Sequence, residues 1–385
     1  MNPLKALNDF GQAVWIDFLS RDFVADGTLA RLVKNDGLSG LTSNPAIFAA
    51  AITAGGSYQK ALHALVAELG DQVEPVALYE RLAIADIQAA ADVLEQVYRA
   101  TDGRDGFVSL EVSPTLAHDT DGTIAEARTL WKRVSRPNLM IKVPGTAAGL
   151  PAIRTLLGEG INVNITLLFS QSMYEKVVDA YFDGVEQFAR TGGDASRLAS
   201  VASFFVSRID VAIDAAIEKR LGALPAAERD ELNALRGKVA IANAKLAYQL
   251  YKRRFAEPRW IALRGRGARP QRLLWASTST KNPAYRDVLY AEELIGPDTV
   301  DTMPPATIEA FRDHGRPRAS LEEGIGEAER VMSTLERRGV SIDAVTDRLA
   351  NDGIDLFVDA ANKLLAAVAK SRPPATTQRR ASGKR

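Results

Sequence analysis

The stretch NLMIKVPGTAAGLPAIRTLLGEGINVNITLLFSQSMYEKVVDAYFDGVEQFAR, residues 138–190, holds two short apolar runs, 138–144 and 161–169. Each is followed by a stretch of helical periodicity, 147–157 and 171–190. A strand-length run feeding a helix, twice over, reads as consecutive βαβ units and a parallel sheet. Working outward, strand-like runs recur at 12–19, 37–43 and 106–112 on one side and at 198–205, 272–278 and 298–303 on the other. Further helical patterns fall at 78–99 and 206–221. Eight such units predict an α/β chain closed into a single (β/α)8 TIM barrel, with a doubly wound open sheet as the alternative. Two stretches exceed the minimal barrel: a helical insertion at 223–256 before strand seven, and two or three helices at 320–370 after strand eight. Residues 1–370 therefore read as one barrel domain. The Pro-, Ser- and Arg-rich 371–385 reads as a disordered basic tail.

Composition narrows the chemistry. The 385 residues carry 48 basic and 48 acidic side chains, so no electrostatic case exists for nucleic acid or an anionic membrane as main partner. No cysteine is present, which excludes disulfides, thiol nucleophiles and thiolate metal sites. The three histidines, 63, 118 and 314, lack the spacing of a zinc site, so no metal and no cofactor is expected. The first residues carry charges too early for a secretory signal, and no apolar run reaches the ~20 residues of a membrane span. These features point to a cytosolic protein whose chemistry rests on Lys, Asp, Glu, Arg, Ser, Thr, Asn or Tyr.

Parallel barrel strands are buried on both faces, so polar residues near their C-terminal ends are the informative ones. Asp17 closes strand one, Thr42 and Asn44 strand two, and Glu111 strand three. Lys142 sits in strand four, Asn164 and Thr166 in strand five, Ser203 in strand six, and Ser277 follows strand seven. One ring of polar groups over a barrel mouth accounts for them all. Lys142 is the sharpest: a desolvated lysine with lowered pKa is a good amine nucleophile toward a carbonyl. The bland alternatives are an edge-strand lysine for Lys142, a helix cap for Asp17, and a simple ion-pair partner of Lys142 for Glu111. Ser277 to Asn282, with Lys281 among them, follow strand seven, where this fold often binds phosphate, and Arg208 follows strand six. The arginines 264, 266, 269 and 272 suggest either RNA contact or, the better reading, a basic loop entering the bottom of the barrel.

These residues resemble the transaldolase family. GLTSNPAIF at 40–48 is similar to the family's asparagine-bearing segment, and LMIKVPGT at 139–146 to its Schiff-base lysine segment. WIDFLSRD, SLEVSP, INVNITLLFS and WASTSTKNP follow in the family's order, so the resemblance covers about residues 1–370. It implies a barrel enzyme that moves a dihydroxyacetone unit between sugar phosphates in the non-oxidative pentose phosphate pathway. By that resemblance Lys142 forms the imine, Asp17 is the general acid/base, and Glu111 and Thr166 hold the water of imine formation and hydrolysis. Asn44 and Asn164 bind donor hydroxyls, while Ser203, Arg208 and Ser277 match substrate and phosphate positions. Thr42 joins the substrate-binding set through its place in the polar ring. The length resembles a longer bacterial subclass. Shorter members carry an arginine two residues after the serine, where this chain has Ser279 and then Lys281, which leaves the phosphate-gripping cation to be found. A fructose-6-phosphate aldolase-type lyase and a non-catalytic sugar-phosphate-binding protein are the competing readings. A monomer and a homodimer are both compatible with the sequence.

Overall fold

The structure is a computed structural model that describes residues 2–372. The expectation of a basic tail falls, beyond Arg372, outside the described residues. Eight parallel strands close into a barrel in sequence order. They are β1 (Gln12–Asp17), β2 (Leu38–Thr42), β3 (Phe107–Glu111) and β4 (Leu139–Pro144), then β5 (Val163–Leu168), β6 (Ser200–Phe205), β7 (Arg272–Ala276) and β8 (Thr299–Met303). β8 pairs back onto β1, with Trp15 opposite Thr302, so no strand has a free edge. The open-sheet alternative and the edge-strand reading of Lys142 both fall with that closure. Burial follows the pattern of parallel strands covered by helices, and every residue of β4, β5 and β6 is buried.

The lower barrel interior shows why particular residues are needed. Trp15 is fully buried, and its indole N–H donates to Asp105 Oδ1 at 2.8 Å. Its ring lies against Gly40 on β2, where an added Cβ would stand 2.3 Å from the indole, so only glycine fits. Arg272 at the start of β7 places its guanidinium 5.9 Å from the Trp15 ring and pairs with Asp105.

Helices occupy the expected stretches 223–256 and 320–370, and two more, Pro258–Arg264 and Pro305–His314, lie outside them. Ala226–Asn233 and Val239–Arg254 lie between β6 and β7, followed by the short Pro258–Arg264. After β8 come Pro305–His314, Ile325–Arg337 and the long Ile342–Lys370, which Ser341 caps by accepting from the Ala344 N–H at 3.3 Å. That last helix packs on Pro45–Ala54 and Ser207–Leu221 beside the C-terminal ends of the strands, which brings Phe357 to the barrel mouth. Among the described residues no helix is long and apolar enough to cross a membrane.

Candidate active site

The strand periodicity of two carries the polar ring to one end of the barrel. A cavity of about 220 Å³ there is lined by Asp17, Thr42, Asn44, Lys142, Thr166 and Ser203 from the strands and their ends. Arg208, at the start of the helix after β6, and Ser277, Ser279 and Lys281, in the loop after β7, also line it. Glu111 and Asn164 lie behind this first layer and do not line the cavity.

Lys142 is 5% exposed in the fourth strand. Its Nζ donates to the Ser43 carbonyl at 3.1 Å and stands 3.6 Å from Glu111 Oε2. Glu111 is its register partner on β3 and Asn164 its partner on β5. Burial raises the Glu111 pKa, an effect opposed by the adjacent ammonium, and Oε2 has no hydrogen-bond donor.

Asp17 does not cap the helix that follows β1: Ser20 does, accepting from the Phe23 N–H at 3.1 Å. Its carboxylate instead accepts from the Thr42 hydroxyl at 2.7 Å. Thr42 also lies 2.8 Å from the Thr302 hydroxyl. The single Thr42 hydrogen goes to Asp17, so Thr302 must donate to Thr42. Loss of solvation raises the Asp17 pKa, while Lys142 and the Thr42 hydrogen bond work against the rise.

Asn44 caps the helix Pro45–Ala54, its Oδ1 accepting from the Ile47 N–H at 3.0 Å. The cap fixes the amide orientation and leaves Nδ2 as a donor for the cavity. Asn164 donates to Ser109 Oγ at 3.1 Å and accepts from Ser203 Oγ at 2.6 Å, so it orients Ser203 from behind. Thr166 Oγ1 is buried with no hydrogen-bond partner among the described residues, a free polar atom in the wall of the cavity.

The cations lie on the β6–β7 side. Arg208 is the second residue of the helix Ser207–Leu221, 5.4 Å over the Phe205 ring, and its guanidinium has no hydrogen-bond or ion-pair partner among the described residues. Burial lowers its pKa from the ordinary value and Asp17 partly offsets this. Ser277 adopts the left-handed backbone at φ 58°, its carbonyl accepts from the Ser207 N–H at 3.0 Å, and the two hydroxyls meet at 2.9 Å. A non-glycine residue held at such φ costs about 1–3 kcal/mol and clusters at functional sites. Lys281 is exposed and donates to Ser279 Oγ at 2.8 Å.

Five lining residues escape sequence reasoning: Phe205, Ala276, Thr302, Pro304 and Phe357. Thr302 had a signal, since it is a polar residue in a buried parallel strand like those of the other seven. Phe357 had none, because its helix shows an ordinary amphipathic pattern.

Fold and site together define a (β/α)8 enzyme with a buried amine, a nearby carboxylate and a cationic rim around one sugar-sized cavity. The model of the Transaldolase/Fructose-6-phosphate aldolase family matches residues 14–368. Among relatives, Transaldolase 2 of Nostoc sp. is 47% identical over 369 residues, covering 95% of this chain and 96% of its own. The transaldolase of Acidothermus cellulolyticus is 47% identical over 98% of this chain and 99% of its own length. That of Frankia alni is 48% identical over 96% of this chain and 97% of its own. The chain belongs to the transaldolase/fructose-6-phosphate aldolase family.

Proposed function

We propose that this chain is a transaldolase, a transferase that moves a dihydroxyacetone unit between sugar phosphates through an imine on Lys142. The observation that carries the reading is the buried Lys142 amine, which shares one cavity with Asp17 and with Arg208. In the reaction proposed, sedoheptulose 7-phosphate and glyceraldehyde 3-phosphate give erythrose 4-phosphate and fructose 6-phosphate, a step of the non-oxidative pentose phosphate pathway. The enzyme acts in the cytoplasm on these small substrates, with no nucleic-acid or membrane partner, as a monomer or homodimer.

The Lys142 amine attacks C2 of the ketose, and loss of water gives a protonated imine. The Asp17 carboxylate removes the C4 hydroxyl proton, the C3–C4 bond breaks, and its electron pair moves into the imine as an enamine. The aldose phosphate leaves while the three-carbon unit stays on Lys142. The enamine then attacks the acceptor aldehyde, Asp17 returns the proton to the new hydroxyl, and water releases the lysine. Glu111 and Thr166 act on the water of the imine steps: one has an undonated carboxylate oxygen beside Nζ, the other an unpartnered hydroxyl in the cavity wall. Asn44 Nδ2, Thr42 and Ser203 hold the substrate hydroxyls, with Asn164 set against Ser203. Arg208, Ser277 and Lys281 take the phosphate.

Borohydride added with fructose 6-phosphate should fix a reduced three-carbon unit on Lys142, located by peptide mass spectrometry. A coupled assay with and without erythrose 4-phosphate completes the test. Product that needs the acceptor marks a transferase, product without it a lyase, and labelling of another lysine overturns the assignment of Lys142.

A further inference from the structure

A second cavity, of about 470 Å³, lies at the opposite end of the barrel from Lys142. Met140, Ser200 and Arg272 line it from the N-terminal ends of β4, β6 and β7, and loop residues before β3, β7 and β8 complete it. It gathers three of the four arginines singled out in the sequence, 264, 269 and 272, and adds Arg104. Four arginines stand against Asp102 and Asp298 in the lining and Asp105 behind Arg272, a local excess of one positive charge in a protein of zero formal net charge.

The aspartates do not use up the donors. Arg104 gives one nitrogen to Asp298 at 2.6 Å, and Arg269 gives Nη2 to Asp102 at 3.1 Å. Arg264 has no side-chain partner among the described residues. Arg272, buried and paired with Asp105, is a fixed cation at the cavity wall. The Asp102 side chain, shared between Arg269 at 3.1 Å and Arg197 at 3.4 Å, is 77% exposed, so these pairs are solvent-screened and a ligand can compete for Arg269.

The volume falls in the range of small-molecule sites, about 300–1,000 Å³. Guanidinium forks match phosphate oxygens two at a time, and one phosphate would not engage so many. No aromatic side chain lines the cavity, so nothing there stacks a nucleobase. We infer that this cavity binds a compact, non-aromatic anion bearing two or more phosphate groups, at a site separate from the catalytic mouth.

The test uses the full chain carrying Arg208→Ala and Lys281→Ala, which removes the cations of the catalytic mouth. Inorganic pyrophosphate and fructose 1,6-bisphosphate are titrated separately by calorimetry, and the tighter binder tells an inorganic from a sugar-borne source. Saturable binding at one site is expected. Adding Arg264→Ala should weaken it about tenfold or more, the loss of a charge-assisted pair. Adding Asp102→Asn should tighten it, because a competing carboxylate is gone. Both positions are exposed, and a thermal melt checks folding. In the otherwise unaltered chain, Arg264→Ala should leave turnover unchanged. Absence of saturable binding overturns the inference, as does binding indifferent to both substitutions. A short single-stranded RNA that binds more tightly than either probe and needs Arg266, exposed outside the cavity, also overturns it in favour of a nucleic-acid surface.

Discussion

Lys142 Nζ and Glu111 Oε2 face each other at 3.6 Å across the β3–β4 register, both side chains buried, and among the described residues no hydrogen-bond donor reaches Oε2. A buried pair this loose leaves unmet hydrogen-bonding capacity beside the amine, which suits a carboxylate that works on water. Glu111→Gln keeps the shape and removes the charge. Breaking a buried pair leaves the other ion uncompensated, so stability should drop by on the order of 3 kcal/mol. Imine formation in single-turnover trapping should also slow by ~10²-fold or more if Glu111 moves protons. Slowed trapping with unchanged KM supports the catalytic role. Lost stability with full turnover per folded molecule reduces Glu111 to a counter-ion.

In the proposed mechanism Asp17 must be ionised to take the C4 proton, so activity should fall as pH drops through its pKa. Burial raises that pKa, which moves the acid limb of kcat/KM above the ordinary aspartate range. Donation from Thr42 stabilises the carboxylate form, and Thr302 fixes the direction of that donation. Thr302→Val leaves Thr42 without its own donor, and Thr42→Val removes the bond to Asp17 outright. Both should shift the acid limb to higher pH, Thr42→Val by more. Asp17→Asn should retain borohydride trapping and lose ~10²-fold or more in turnover. A pH–rate profile that none of the three variants moves would remove Asp17 from the acid/base role.

Asp301 offers a test on stability. It is fully buried in β8, accepts from Thr278 at 2.9 Å through Oδ1, and leaves Oδ2 without a partner. Burial pushes its pKa from 3.8 to about 7. Below the unfolded value both states hold the proton and pH has no effect. Between the two values the unfolded chain ionises while the folded chain keeps the proton, so stability falls as pH rises, and the penalty is complete above about 7. Asp301→Asn cannot ionise. Its stability relative to the unaltered chain should therefore increase from pH ~4 to pH ~8, by on the order of 4 kcal/mol. Urea unfolding at several pH values reads this directly, and a difference independent of pH would mean that Asp301 is not protonated in the fold.

The barrel was legible because each strand is a short apolar run bounded by helical periodicity, and strand positions in the structure lie within about two residues of those runs. The polar ring was legible for a related reason: Lys142 or Asn164 inside a doubly buried strand contradicts its surroundings. What stayed hidden depends on contacts between distant segments. Phe357 comes 6.0 Å from Lys142 Nζ only because the helix Ile342–Lys370 folds back over the mouth. The capping role of Ser20, which frees Asp17 for the cavity, is likewise a matter of which of two nearby residues the chain turns inward. The basic stretch 264–272 was placed at the barrel bottom, but its enclosure with Arg104 follows from the closure of the barrel.

The proposed phosphate site is where Arg208 and Lys281 can be ranked. A phosphate that does not react contributes binding and orientation, so losing a contact should raise KM more than it lowers kcat. Arg208 is preorganised: it rests over Phe205, has no hydrogen-bond or ion-pair partner to give up among the described residues, and can hold two oxygens through its planar fork. Lys281 is exposed, already donates to Ser279, and contributes one point charge on a flexible stem. A charge-assisted hydrogen bond contributes ~1.5–3 kcal/mol, so Arg208→Ala should raise KM for fructose 6-phosphate by roughly ten- to a hundredfold. Lys281→Ala should raise it by less, about two- to fivefold, in line with an exposed ion pair of ~0.5–1 kcal/mol. Both effects should shrink with donor sugars that lack the phosphate. If KM is unmoved by Lys281→Ala, the lysine is solvated only, and Arg208 with the Ser277 loop holds the phosphate alone.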